Sequence, residues 1–484
     1  MLIADHCGWH RRASCTSYQL ALLLGSIVTI GIGCGASGAT SSRAASQPTA
    51  PTVAPSERSQ ASLAERQRPT PVSQAAKTDQ ALAEEATLSE VLAVALARNP
   101  ELAEARDLLR AARESAPAAS RLPDPELEYQ LWAQPLAKPY ALGEAQMHMF
   151  GLRQTFPAPG SLAAQYHAAL AKASVASEAG RAREQDLIQR VRQAFAEYYR
   201  TEREYRIHLD HARLAQQILD LVRAAYQGAR GSQQDVLRAA VVISRLHTDV
   251  AAIDRDRRTA RGLLNTLMAR APEAPLGPPR ALEPPTEQRF LELDQVIADR
   301  RPEIAAAESA ILAREGELDA SRASARWPAF MVGLQYMYMP PESERHNYGV
   351  MFSMNLPWLN PRHAEEVRAA EARLGAQKSA LASSRQAARY ELYEAIERLR
   401  AARASFIIIE RDLVPLAQQN FESAETAYRG GRADALGMLD ALSSVLDVRL
   451  ERERALVRVH TALADLERAG GVRPFFHPDM ERLK

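Results

Sequence analysis

The sequence predicts a mainly α-helical protein with a small β part, built as a tandem duplication of one unit. Three observations predict this fold class. Short sequence motifs recur at a nearly constant offset. For example, Pro100-Glu101 recurs as Pro302-Glu303, 202 positions later. Each copy contains a helix-forming stretch far longer than an ordinary globular helix. Each copy also contains two short stretches in which polar and apolar residues alternate, which is the pattern of β-strands.

The composition excludes several classes of protein. The chain has 484 residues, 46% of them hydrophobic and 25% charged, and its formal net charge is +1. A nucleic-acid-binding protein normally carries a clear basic excess. The longest apolar run, Tyr18 to Gly33, is shorter than the ~20 residues of a transmembrane helix, so a bundle of membrane helices is excluded. Nucleophile–base pairs, phosphate-binding glycine loops and zinc-spaced clusters are absent from the sequence, so we predict no enzyme, no cofactor and no metal site.

The N-terminus has the pattern of an export signal over residues 1–33, with basic residues before the apolar run. The following Cys34 resembles the acylated cysteine of a bacterial lipoprotein box, although Gly31 stands where that box prefers Leu, Val or Ile. An ordinary cleavable signal with an incidental cysteine is the alternative. Cys7 and Cys15 lie inside the signal, so the mature chain has no disulfide. Residues 34–86 are rich in Ser, Ala and Pro and are predicted to be a disordered tether.

The two predicted repeats cover residues 87–270 and 291–471. A proline-rich strap over residues 271–290 joins them, and a tail follows over residues 472–484. Each repeat begins with a helix that ends just before a proline, which a helix interior does not tolerate. Two strands follow in each repeat. The predicted opening helices are Pro100–Arg121 and Pro302–Arg326, and the predicted strands are Glu126–Trp132, Ala145–Phe156, Phe330–Tyr338 and Asn347–Leu356.

A very long helix follows the strands of each repeat. Ser161–Tyr226 contains no proline and would span about 100 Å at 1.5 Å per residue. Its counterpart, Pro361–Tyr428, is interrupted by Pro415, which should bend it. Glycine-containing turns follow, and helices then return through Leu267 and Leu466 with apolar residues at coiled-coil spacing. Helices of this length suit a tube, a stalk or a fibre.

The four predicted strands help to decide between a tube, a stalk and a fibre. A closed barrel needs about eight or more strands, so several chains would have to assemble to close one. Two, three or four chains would supply eight, twelve or sixteen strands, and the periodicity does not decide between them. A stalk has no use for four amphipathic strands inside duplicated helices.

From about residue 86 to residue 471, this arrangement resembles the TolC family of outer-membrane efflux proteins. The resemblance is carried by the order of the elements and by four groups of motifs: Asn99-Pro100-Glu101 with Arg301-Pro302-Glu303, Leu264-Asn265-x-Leu267, Tyr226-x-Gly228 through Asp235-Val-Leu237, and Tyr428-x-Gly430-Gly431 through Met438-Leu439-Asp440-Ala441. It implies a homotrimer with a 12-stranded transmembrane β-barrel in the lipids of the outer membrane and a periplasmic α-barrel of coiled-coil helices. It also implies a periplasmic adaptor (membrane fusion) protein and an inner-membrane resistance–nodulation–division pump as partners.

The predicted function is therefore the outer-membrane channel of a tripartite efflux system. The turns Leu122-Pro-Asp-Pro125 and Phe156-Pro-x-Pro159-Gly160 resemble most the branch that serves heavy-metal cation pumps. Heavy-metal cations or small toxic compounds are the expected substrates. A type I protein secretion channel and a non-channel periplasmic coiled-coil scaffold are the alternatives.

The two turns between the long helices are the predicted sites of adaptor contact. Their glycines are expected to supply the positive φ of a tight helix reversal, and Arg432 and Tyr428 could latch neighbouring helices. The predicted tip residues are Tyr226, Gly228, Gly231, Ser232, Tyr428, Gly430, Gly431 and Arg432. In a trimer, Asp235, Asp434 and Asp440 could form acidic rings that constrict the channel and favour cations. Helix capping or ordinary surface charge is the alternative for these carboxylates.

Other residue patterns receive plainer interpretations. Seven of the 11 methionines lie in or beside the strands; thioethers suit Cu(I), but a lipid-facing stripe is predicted for them. The aromatic residues of the strands are expected to form girdles at the membrane interfaces. His208 and His211 have a spacing that can hold a metal, but a solvated helix face is predicted. The methionines are Met147, Met149, Met331, Met337, Met339, Met351 and Met354, and the aromatic residues are Tyr129, Trp132, Tyr336, Tyr338 and Tyr348.

Overall fold

A computed structural model describes residues 79–142, 145–229, 231–285, 301–339 and 346–471. The predicted signal peptide, Cys34 and most of the predicted tether lie outside these ranges, as do the start of the second repeat and the tail. Within the described ranges, no helix combines the length and the apolar character that crossing a membrane requires.

The helices of the first repeat are two short ones and a hairpin of two long ones. Helix α1 covers Leu88–Arg98, and α2 covers Pro100–Ala119. Asn99 caps α2, since its side-chain oxygen accepts the Glu101 N–H at 2.9 Å. Helix α3, Ser161–Gln227, has 67 residues and is about 100 Å long. Helix α4, Gln233–Leu267, returns alongside it.

The second repeat has the same order, with one interruption. Helix α5 covers Pro302–Arg326, and α6 covers Arg362–Ile408. A π-turn at Ile409–Leu413 joins α6 to α7, which covers Val414–Arg429, and α8, Ala435–Ala469, returns. The π-turn lies just before Pro415, where the sequence predicts an interruption and a bend, because proline has no N–H for the helical ladder.

The strands form one antiparallel sheet in the order β1–β2–β3–β4. Their bounds are Glu126–Trp132, Met147–Phe156, Phe330–Tyr338 and His346–Met354. β2 of the first repeat pairs along nine residues with β3 of the second, from His148 opposite Tyr338 to Phe156 opposite Phe330. The predicted hairpins are confirmed, and the two repeats share one sheet.

The C-terminal end of the predicted tether is folded, so this part of the prediction is wrong. Residues 79–84 are helical, and Leu82 and Ala86 are fully buried. The strap holds this segment: the Ala86 N–H donates to the Pro278 carbonyl at 3.0 Å, and the Gly277 N–H donates to the Leu82 carbonyl at 2.8 Å. The buried Leu82 and Ala86, together with these backbone hydrogen bonds, hold the segment in place, although its composition is that of a linker.

Three apolar clusters lie along the helices. One joins residues 82–102 to α3, α4 and the strap. A second joins α3 to α5, α6 and α8. The third lies near both turns and joins the ends of α3 and α4 to α7 and α8. Because this third cluster packs the ends of all four helices together, the turn between α3 and α4 lies beside the turn between α7 and α8.

Helices α3 and α5 approach each other closely at Gly316. A Cβ atom placed on Gly316 would lie 2.9 Å from the Ala168 nitrogen and 3.0 Å from the Ala164 carbonyl oxygen. Real Cβ atoms do not approach backbone atoms this closely. The crossing therefore requires glycine at this position.

Candidate functional site

The first candidate site is the pair of turns at which the long helices reverse. In the first turn α3 ends at Gly228, and Ala229 adopts the left-handed conformation with a φ of 50°. Ser232 then caps α4: its Oγ accepts the Asp235 N–H at 3.2 Å, while the Asp235 carboxylate accepts the Ser232 N–H at 3.2 Å. This capping box satisfies backbone donors at the helix start and holds Asp235 against its own helix.

The second turn follows the same path with different residues. Gly430 ends α7, and Gly431 takes the left-handed position with a φ of 70°. Asp434 caps α8 by accepting the Gly437 N–H at 3.1 Å. Two of the three predicted constriction carboxylates are therefore engaged in helix capping within the described chain: Asp434 is itself a cap, and Asp235 completes the capping box of Ser232.

The glycine prediction is partly wrong. Gly431 has the predicted positive φ, but the φ angles of Gly228 and Gly430 are −81° and −78°. Gly231 stands in a tight place, since a Cβ there would lie 3.2 Å from the Tyr226 nitrogen. The left-handed residue of the first turn is instead an alanine, which the sequence search for glycine overlooked. Ala229 precedes Gly431 by 202 residues, which is the repeat offset, and this equivalence of position could have identified it.

These two turns offer a matched pair of substitutions. We expect Gly431→Ala to lower the free energy of unfolding by about 1 kcal/mol, because an L-residue is strained at positive φ. Ala229→Gly should raise it by less than about 1 kcal/mol, because glycine relieves the strain but loses more backbone entropy on folding. Thermal unfolding followed by circular dichroism measures both. Shifts of the same sign for the two variants would contradict the left-handed assignment.

The two turns lie next to each other. Tyr428 of the second turn packs against the cluster that joins both helical hairpins. Burial and the negative charge of Asp235, which belongs to the first turn, raise the pKa of Tyr428. Tyr226 is about half exposed, and Asp440, in the second turn of α8, is exposed. The structure thus brings Tyr428 and Asp235 together and leaves Asp440 open to solvent.

A groove borders the second turn. Its volume is about 570 Å³, and one wall is the polar side of α7. The side chain of Arg432, a predicted adaptor contact, lies at its end. The lining residues are Gln419, Glu422, Ser423, Thr426, Ala427 and Arg432. Both charges and several neutral donors and acceptors are therefore available on this side of the tip.

The second candidate site is the four-stranded sheet, whose faces differ sharply. Paired residues share a face, and successive residues alternate between faces. One face, here called the apolar face, carries a row of aliphatic residues across all four strands: Leu127, Leu152, Leu334 and Val350. The next row is aromatic: Tyr129, Phe150, Tyr336 and Tyr348. Most of these side chains are exposed, Val350 by 72% and Tyr348 by 82%.

Aromatic residues lie near both ends of the apolar face. At one end the Tyr129 and Phe150 rings are 4.9 Å apart, and Tyr338 continues the group. At the other end Phe156 and Phe330 stack at 4.9 Å. The girdles at the membrane interfaces stay a prediction for the tyrosines on this face, whereas Trp132 points to the opposite face, where its indole N–H donates to the Gln130 side-chain oxygen at 2.9 Å.

The opposite face, here called the polar face, carries charges, amides and most of the methionines. Arg153 lies between Glu126 and Glu128 at 3.5 and 3.2 Å. The methionines do not form the apolar stripe that was predicted for them, because the register places five of them on this polar face and only Met354 on the apolar one. The five are Met147, Met149, Met331, Met337 and Met351.

His208 and His211 are not on a solvated face, so this prediction is also wrong. Their exposed fractions are 8% and 2%, because α4 and α8 flank this part of α3. Burial, with a contribution from the nearby Arg449 charge, lowers the pKa of His211 to about 4. Burial likewise lowers the pKa of His208. Neither ring nitrogen of His211 has a hydrogen-bond partner among the described residues.

The described part of the chain contains no group of three or more His, Cys, Asp or Glu side chains that could hold a metal ion. Its buried carboxylates pair with arginines instead. Glu204 accepts from Arg200 at 2.6 Å and from Arg454 at 2.9 Å, and Glu453 accepts from Arg452 at 2.9 Å. The pair of Arg454 with Glu204 ties α8 to α3, whereas the other two pairs lie within a single helix.

Comparison with known proteins agrees with this geometry. Residues 293–472 match the family of outer membrane efflux proteins. No curated protein sequence matches the chain. In three dimensions the chain is similar to VceC of Vibrio cholerae, an outer membrane protein, with a TM-score of 0.67 and 18% identity over 80% of this chain and 96% of that one.

Two further solved structures have the same fold. CusC gives a TM-score of 0.68 at 19% identity, over 80% of this chain and 92% of that chain. MtrE of Neisseria gonorrhoeae gives 0.62 at 22% identity, over 80% and 89%. The second repeat is thus matched by sequence, and both repeats are matched in fold. Residues 293–472 therefore match the outer membrane efflux protein family by sequence, and 80% of the chain shares the fold of these solved structures.

Proposed function

We propose that this chain is the outer-membrane channel subunit of a tripartite efflux system and that it works as a homotrimer. The observation that carries the proposal is the sheet, with one face apolar across all four strands and the other polar. Such a surface is unfavourable in water, but it suits a wall between lipid and an aqueous pore. VceC is an outer membrane protein and MtrE an outer membrane channel, and the shared fold supports the same location here.

The free edges of the sheet explain why several copies are needed. Among the described strands, β1 pairs only with β2 and β4 only with β3, so each has an unpaired edge. Edges of this kind can pair with those of another copy. Three copies would supply the twelve strands of a barrel that encloses the polar faces and turns the apolar faces outward.

The helices supply the periplasmic part of the proposed channel. Helix α3 begins five residues after β2 and extends about 100 Å, so its turn lies far from the sheet. The turns are thus suited to contact a periplasmic adaptor protein and, through it, an inner-membrane pump that supplies the energy. We propose as contact residues Tyr226, Gly228, Gly231, Ser232, Tyr428, Gly430, Gly431 and Arg432.

Three carboxylates are candidates for the constriction at this end. Asp235 and Asp434 are engaged as helix caps, whereas Asp440 is exposed. In a trimer Asp440 would appear three times around the axis and favour cations. Heavy-metal cations or small toxic compounds are the proposed cargo. We also propose that Cys34 is acylated, which mass spectrometry of the mature N-terminal peptide would reveal.

The experiment exploits two neighbouring residues on opposite faces of β3. Leu334 lies on the apolar face and Gln335 on the polar face. We expect Leu334→Arg to abolish insertion into lipid bilayers, because arginine in the lipid-facing band costs about 2–4 kcal/mol per chain. Gln335→Arg should still insert and conduct, but with reduced preference for cations. Single-channel recording of the purified protein, with a heat-modifiable trimer on gels, measures both outcomes.

The variant Asp440→Asn tests the proposed constriction in the same single-channel recordings. It should leave insertion intact and lower cation selectivity, and unchanged selectivity would remove Asp440 from the constriction. A wild-type chain that stays a water-soluble monomer without conductance would overturn the channel proposal and favour the periplasmic scaffold. Equal insertion of Leu334→Arg and Gln335→Arg would contradict the assignment of the two faces.

A further inference from the structure

The methionines of the polar face are unusual for their surroundings. Apolar side chains are expected on the lipid side of such a sheet, yet five thioethers share a face with Glu126, Glu128, Arg153 and Gln335. The apolar face, in contrast, carries only Met354. A water-lined wall gains nothing from apolar bulk, so these side chains need another explanation.

The register places the thioethers at successive levels along the strands. Met149 of β2 lies directly opposite Met337 of β3, and Met147 lies two residues from Met149 on the same face. Met351 of β4 lies opposite Gly333, which is four residues before Met337. Met331 is two residues further along the same strand. From Met331 to Met147 the levels therefore extend over about 26 Å at 3.3 Å per residue.

Glycines make room for these side chains. The Met351 methyl carbon lies 3.3 Å from the place where a Cβ of Gly333 would stand, and the Met337 methyl carbon lies 3.4 Å from the equivalent place at Gly349. Both thioethers thus lie over bare backbone on the neighbouring strand. The Met351 sulfur is 4.0 Å from the Gln335 side-chain nitrogen, so it lies among the polar groups of this face.

The chemistry of a thioether selects its ligand. Neutral sulfur is a soft donor that prefers Cu(I) and, by the same softness, Ag(I), over Mg²⁺, Ca²⁺ or Zn²⁺. Two glutamates against one arginine on the same face add a small negative charge that attracts cations. A conduit needs sites that bind an ion weakly enough to release it again, and a series of neutral donors meets that requirement.

We propose that the polar face of the sheet carries a series of low-affinity sites for soft monovalent cations, with Met149 and Met337 as one level and Met351 as another. This proposal rests on the proposed function in one respect, namely that the polar face lines the channel. If it does, Cu(I)-class ions would be a cargo of the channel. Binding itself depends on the folded sheet and not on conduction.

The test uses the purified full chain in detergent, with cysteine thiols blocked by N-ethylmaleimide, and Ag(I) as the probe. Bound silver is measured against free Ag(I) for the wild type and for the triple variant Met149→Leu, Met337→Leu, Met351→Leu. Leucine keeps the apolar bulk and removes the sulfur. Met354→Leu, on the opposite face of the same sheet, is the matched control.

We expect the wild type and Met354→Leu to bind silver alike, and the triple variant to bind at least about tenfold more weakly. Equal binding by all three proteins would overturn the proposal and leave the methionines as flexible filler. Absence of binding by the wild type, or equal loss in Met354→Leu, would overturn it as well. Potassium conductance of the same preparations, recorded separately, tests the channel itself, so failure of silver binding and failure of the proposed function are distinguishable.

Discussion

Gly316→Ala is expected to lower the free energy of unfolding by about 3 kcal/mol, a large effect for one added methyl group. The new Cβ would lie 2.9 Å from the Ala168 nitrogen and about as close to two further backbone atoms of α3. Backbone atoms in the middle of a helix cannot move aside singly, so α3 and α5 would have to separate along part of their contact. Thermal unfolding of the detergent-solubilised protein, followed by helical circular dichroism, measures the loss.

Two other glycines within helices provide the controls. A Cβ on Gly180 of α3 would meet only the Ala105 Cβ at 3.8 Å, and one on Gly375 of α6 would meet nothing within 4 Å. Alanine at either position should be neutral or stabilise by about 0.5–1 kcal/mol, because it favours the helix. If Gly316→Ala were as stable as these two variants, the close crossing of α3 and α5 would be wrong.

His211 should make the protein sensitive to mild acid. Its pKa is lowered to about 4 in the folded chain, against 6.5 for an unperturbed histidine, chiefly by burial. The unfolded chain therefore binds a proton more readily than the folded one between these two values. The stability from neutral His211 is complete above pH 6.5 and decreases as the pH falls towards 4, by about 3 kcal/mol in total.

We expect His211→Leu to remove most of this acid sensitivity. Leucine should also not destabilise the protein at pH 7, since it replaces a ring whose nitrogens have no partner among the described residues. Urea unfolding at several pH values between 7 and 4 measures both effects. His167→Leu, an exposed position on the same helix, should keep the wild-type pH dependence. An unchanged pH profile for His211→Leu would show that other groups cause the acid sensitivity.

The sequence predicts the elements well where local signals are sharp. Helix α5 begins at Pro302, where proline suits the first helical turn, and ends before Trp327-Pro328, as predicted. Strand β1 has its predicted bounds because polar and apolar residues alternate without error from Glu126 to Trp132. The helix caps Ser232 and Asp434 also stand at equivalent positions, since they are separated by the repeat offset of 202 residues.

The remaining features depend on contacts between elements, which local patterns do not contain. His211 is buried because α4 and α8 pack against α3, and α3 alone shows no face on which a histidine must be hidden. The alternation in β2 shows which residues share a face with Met149, but the apolar character of methionine does not show that this face also carries the charged residues of β1. Ala229 carries no glycine signal at all, although it occupies the same left-handed position as Gly431.

The pairing of β2 with β3 has a consequence for the origin of the chain. The sheet crosses the boundary between the repeats, and α3 of one repeat packs on α5 of the other. A two-stranded hairpin alone is marginal in water, so neither half is a self-sufficient folding unit. An ancestral protein with one repeat would have needed a second copy of itself to occupy the place that the other repeat now fills. The duplication thus makes each half of the chain depend on the other, and three such chains would present six equivalent units in the proposed trimer.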